Sequence, residues 1–103
     1  MSDSHTISAD GGSITLAPAV LEQVVIGSAE GVEGARVRRP RRGLDVEVDG
    51  GRARVTVELA VRYGLVLPDV AHEVQRRVGE SLRGICGLEA AAIDVAIEEL
   101  DGA

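Results

Sequence analysis

A chain of 103 residues is one domain's worth of polypeptide, and at this size only about two-thirds of the unfolded surface is hidden on folding. Eleven basic residues, all arginine, face seventeen acids for a formal net charge of −6, and Tyr63 is the one aromatic side chain. The core therefore has to be built from Val, Leu, Ile and Ala, and an aromatic platform for stacking bases is excluded.

Residues 1–12 are polar and contain glycine, as expected of an N-terminal tail. Residues 13–16 (SITL) alternate and predict a short strand. Pro18 then suits the first position of a helix, although Ala17 offers no capping side chain. Val20, Leu21, Val24, Val25, Ser28 and Val32 share one face at helical spacing, with Ile26 off it, and Gly31 and Gly34 stop the helix. The run RVRRPRR follows at residues 36–42, a compact connection in which Pro40 blocks regular helix. Leu44, Val46 and Val48 alternate with acids, as do Val55, Val57, Leu59 and Val61 with Arg54, Thr56 and Glu58, which predicts two half-buried strands. Asp49-Gly50-Gly51 between them reads as a hairpin turn.

Pro68 and Asp69 open a second helix that runs to about Cys86, the acid favouring the positive end of the helix dipole. Val70, Ala71, Val74, Val78, Ser81, Leu82 and Ile85 form its apolar arc. Gly87 closes it. A last strand spans 91–98, with Ile93, Val95 and Ile97 inward and Asp94, Ala96 and Glu98 outward. The order strand-helix-strand-strand-helix-strand predicts a two-layer α/β sandwich. In it a mostly antiparallel four-strand sheet carries both helices on one face and leaves the other wet. The expected organisation is one domain over 13–99, with tails at 1–12 and 100–103.

The stretch YGLVLPDVAHEVQRRV at 63–78, followed by CGLEAAAIDVAI at 86–97, resembles the alkaline shock, or envelope stress response, family of bacteria. The resemblance rests on Tyr63, Gly64, Pro68, Asp69, Val70, Ala71, Val74, Gln75, Gly87 and Leu88, together with Asp94 and Val95, and extends over roughly 13–99. EGVEGA at 30–35 resembles the end of the family's first helix. The resemblance implies a non-enzymatic protein of envelope homeostasis that acts through protein–protein contacts, with a membrane-anchored partner and self-association as expectations. It supplies no catalytic residue and no cofactor. Many members have a longer, Gly-rich connection where this chain has its arginine run.

The residues themselves give little chemistry. His72 has no second histidine four positions on, as a zinc helix motif requires, and it falls on the polar arc. His5 falls in the predicted tail. Cys86 near a helix C-terminus reads as a small buried hydrophobe, because the dipole there opposes a thiolate. Tyr63 is expected to pack at the strand end beneath Pro68. Arg36, Arg38, Arg39, Arg41 and Arg42 are the candidate contacts for a partner or an anionic surface. The alternative is a small nucleic-acid-binding module using the same arginines. Without those five, six arginines face seventeen acids, so the body repels a polyanion that the loop attracts, which disfavours that alternative. The reading placed ahead of both is a solvated loop or an intramolecular partner for the acidic sheet face. No run approaches the roughly 20 apolar residues that span a bilayer, no secretory leader is visible and the lone Cys86 closes no internal disulfide. The expected location is the cytoplasm, peripheral to the membrane through a partner.

Overall fold

The structure is a computed structural model that describes residues 2–38 and 43–102. Two helices pack on one face of a four-stranded sheet, as the periodicities require, and a separate two-stranded hairpin precedes them. The hairpin joins β1 (His5–Ala9) to β2 (Gly12–Leu16) through Asp10-Gly11, with Ala9 opposite Gly12 and Gly11 at φ 83°. That two-residue turn needs positive φ, which Asp-Gly supplies. Residues 5–9 thus form a strand where the composition suggests a tail. Residues 13–16 pair with them and not with the main sheet. Most hairpin side chains are exposed, but His5 is buried and Leu16 touches the core.

Helix α1 (Pro18–Glu30) starts on Pro18 without a side-chain cap. Its buried stripe is Leu21, Val25 and Ala29, continued by Val32. Val20, predicted inward, is exposed, and Ile26, predicted off the stripe, packs against the core edge. Ser28 Oγ donates to the Val24 carbonyl at 2.8 Å, which satisfies its hydroxyl within the helix. A short strand, β3 (Ala35–Val37), follows. It occupies the start of the arginine run, where the sequence predicts only a connection.

The main sheet is organised around β5 (Arg52–Arg62), whose Ala53, Val55, Val57, Leu59 and Val61 are wholly buried. On one side β5 pairs antiparallel first with β4 (Leu44–Asp49) and then with β3, so the two lie end to end. Gly50 and Gly51, at φ 59° and 81°, make the two-residue turn between β4 and β5. On the other side β5 pairs in parallel with β6 (Glu89–Asp101). The strand is longer at both ends than its alternation predicts. A parallel neighbour needs a crossover, which α2 (Leu67–Ser81) provides. Buried Val70, Val74 and Val78 face the sheet.

Helix α2 runs into one π turn, Leu82–Cys86, and ends at Gly87 in the left-handed region, φ 70°. The Leu88 N–H donates to the Leu82 carbonyl at 2.9 Å, closing the helix end. The wider turn sets Cys86 over the sheet and leaves Ile85, which the regular periodicity predicts on the buried arc, 68% exposed. The molecule is elongated, 54 × 23 × 18 Å.

Candidate interaction surface

The face of the sheet away from the helices carries charged residues of both signs, contributed by all four strands. From β5 come Arg54, Thr56, Glu58, Ala60 and Arg62; from β4, opposite them, come Asp45, Glu47 and Asp49. From β3, Arg36 stands opposite Ala60. Arg38 continues the row because its N–H donates to the Glu58 carbonyl at 3.0 Å. β6 adds Ala92, Asp94 and Ala96 to the face by alternation, and Glu99 and Asp101 because of a bulge. Ile97 lies beside Leu59 but Glu99 lies beside Ala60, so Glu98 is the extra residue. Without it Glu99 and Asp101 would point at the helices. With it they turn to the open face.

Arg36, Ala60 and Glu99 consequently form one cross-strand row. Arg36 passes over Ala60, which has no exposed surface, and takes Asp101 in a bidentate grip, with Nε to Oδ2 at 3.2 Å and Nη2 to Oδ1 at 3.1 Å. Glu99 is 3.9 Å from the same guanidinium. Arg38 donates to Glu58 at 3.2 Å, and its Nε lies 3.4 Å from Glu99. The hydrogen bond to Asp101, then its charge, raises the Arg36 pKa further above its ordinary value. Two of the five candidate arginines are thus engaged by three carboxylates of their own chain. Arg39, Arg41 and Arg42 lie outside the described residues.

The other singled-out residues are distributed along β5, α2 and its end. Tyr63, which the sequence suggests packs beneath Pro68, is 63% exposed. Its backbone N–H is tied to the Asp101 carbonyl at 2.9 Å. Gly64 has φ 102° and turns the chain toward α2. Pro68 and Asp69 occupy the first turn of α2; Val70 and Val74 are buried, and Ala71 is half-buried. The Gln75 side-chain amide donates to the Ile93 carbonyl at 2.9 Å, fastening α2 to β6. Gly87 supplies the left-handed turn and Leu88 enters the core. His72 is exposed. Cys86 is 1% exposed, and burial pushes its thiol up. His5, which sequence places in a tail, is 7% exposed in β1.

On the helix surface, Glu73 receives Arg76 at 2.6 Å and Arg77 at 2.9 Å, and Arg76 also reaches Glu80 at 2.9 Å. Hydrogen bonds from Arg76, then Arg77, hold the Glu73 carboxyl down to about 2. A depression of about 280 Å³ between α1 and α2, floored by Gly27 and Gly31, is walled by these same paired groups. A second, of about 300 Å³, lies on the open sheet face by Glu47, Asp49, Arg52 and Arg54.

The sheet edges differ. At β4, Asp3 N–H donates to the Val46 carbonyl at 2.8 Å, and Ser2 and Asp3 side chains accept from Val46 and Val48 N–H. At β3, Glu30 accepts the Val37 N–H at 2.9 Å. Among the described residues, no backbone pairs with the outer edge of β6. Sequence periodicity could not reveal this edge, because it depends on which strand lies last in the sheet.

Solved structures similar in fold include MamM CTD in a zinc form, with TM-score 0.54, 20% identity, and coverage of 79% of this chain and 84% of that one. The cadmium form gives 0.53 at 21% identity, covering 79% and 94%. The manganese form gives 0.52 at 20%, covering 79% and 96%. These likenesses concern the fold. No curated protein matches the sequence. Residues 35–101, from β3 to the end of β6, match the alkaline shock protein 23 family, described as having a cell envelope-related function. The match spans well over half of the chain and takes in every strand of the main sheet and α2. The chain belongs to that family.

Proposed function

We propose that the chain is a non-enzymatic envelope stress-response protein that acts through protein–protein contacts at or near the cytoplasmic membrane. The observation that carries this reading is family membership across the whole main sheet. Three features support it. No helix among the described residues is long and apolar enough to cross a membrane, which is compatible with residence there through a partner. Tyr63, Val66 and Leu100, between 41% and 63% exposed, come from the chain segments around the C-terminal ends of β5 and β6, and exposed tyrosine and aliphatic side chains suit protein contacts. The pairing of Arg36 and Arg38 with carboxylates favours a protein partner over a polyanion.

Affinity capture of the tagged full chain from detergent-solubilised membranes tests the reading. It should retain an integral membrane protein, and retention should fall when Tyr63 is replaced by Ser. Absence of any retained membrane protein, together with normal growth of null cells under alkaline and envelope stress, overturns it.

A further inference from the structure

Three observations at the outer edge of β6 bear on what could pair with it. The first is burial. Ile93, Val95 and Ile97 lie beside Val55, Val57 and Leu59 on the helix side of the sheet. The β5 residues have no exposed surface, whereas their β6 neighbours are only half-buried. The helix layer lies over both strands, so the difference is the missing neighbour beyond β6.

The second observation is that bulges at Ala91 and Glu98 interrupt the ladder on either side. They leave a regular six-residue edge, AIDVAI at 92–97, between two stops. The third is register. An antiparallel pairing of identical strands across a two-fold axis normal to the sheet must match residues on the same face. Centred on Val95, it sets Val95 against Val95, Ile93 against Ile97, and Asp94 against Ala96. The half-buried apolar row then continues into that of the second copy, and no two acids within 92–97 face each other. One step either way fails. Centring on Asp94 puts Asp94 against itself, and centring on Ala96 puts Asp94 against Glu98. Asp94 is itself balanced within its own chain by Arg54 at 3.8 Å.

We propose that β6 pairs antiparallel with β6 of a second copy, centred on Val95, to make one continuous sheet across a two-fold axis. Gln75 does not obstruct this. A carbonyl has two lone pairs, so Ile93 can keep its bond from Gln75 and accept a second from the N–H of Ile97 in the second copy. The pairing stands independently of the envelope reading, because it uses nothing about a membrane partner.

Sedimentation equilibrium of the full chain, from micromolar to millimolar, tests the proposal through charge at position 96. A96D sets acids opposite Asp94 twice per dimer and should weaken association by up to about tenfold; A96K sets two opposite charges there and should strengthen it by a similar factor. Because Ala96 also neighbours Glu58, a second measurement fixes the register. V95C should cross-link to itself under mild oxidation, since directly opposed strand residues meet the Cα separation of a disulfide. I93C should cross-link with I97C and not with itself; buried Cys86 is common to all. A monomer at every concentration overturns the proposal. So does a dimer that neither A96D nor A96K shifts and that V95C does not cross-link, which would mean that another surface joins the copies or that β6 receives a different protein.

Discussion

Glu73 illustrates how much a single side chain can hold on a surface. It accepts from Arg76 and Arg77 at once, and its carboxyl is held at about 2 against an ordinary 4.5. A folded-state value below the unfolded one means that the stabilisation is complete above pH 4.5 and disappears as pH falls toward 2. Replacing Glu73 by Gln should therefore lower the melting temperature at neutral pH. Thermal melts at a series of pH values should show the difference from wild type closing between pH 4.5 and 2. The pairs were legible in the sequence, because residues three and four apart on a helix are neighbours. The pairing of Arg36 with Asp101 was not, because the two are 65 positions apart and meet only through the order of strands.

At the scale of elements, the turns are where local chemistry is most decisive. Gly34 and Gly50 both have positive φ, 82° and 59°, but their surroundings differ. A methyl group at Gly34 would collide with the Leu65 side chain, whereas at Gly50 it would meet open space. Gly50→Ala should cost about 1–2 kcal/mol, the penalty of a left-handed L-residue. Gly34→Ala should cost more, and chemical denaturation of the two variants side by side checks the ranking. Gly50-Gly51 announced its hairpin plainly. Asp10-Gly11 is an equally good signal, but the alternation around it is weak and polar, so β1 was obscured. β3 was obscured differently: it is three residues long, with a central arginine that reads as loop until Ala60 and the carboxylates of β6 are in place. The π turn has no counterpart in periodicity, which assumes a constant angle per residue.

For the whole molecule, β5 is the organising element, with neighbours on both edges and helices over one face. Leu59, fully buried at its centre, should cost about 2–5 kcal/mol on replacement by Ala. That is a large part of the 5–15 kcal/mol that folded domains typically possess. Tyr63, four residues on and 63% exposed, should change stability by no more than about 0.5 kcal/mol on the same replacement. Urea unfolding of both variants separates the two roles, and a large loss at Tyr63 would place it in the core after all.

By itself the sequence determined the class of fold, both main-body helices, the strands β4, β5 and β6, and the family resemblance. Each of these rests on residues near one another in the chain, where apolar period, proline, glycine and short motifs carry the signal. The tertiary structure decided what depends on pairing at a distance. It set β3 beside β5, held Arg36 and Arg38 in carboxylates, and left one edge of β6 without a neighbour among the described residues. The Glu98 bulge shows the physical reason. A strand's alternation specifies two faces, but an extra residue exchanges them, and whether a residue is extra is defined only against the strand beside it.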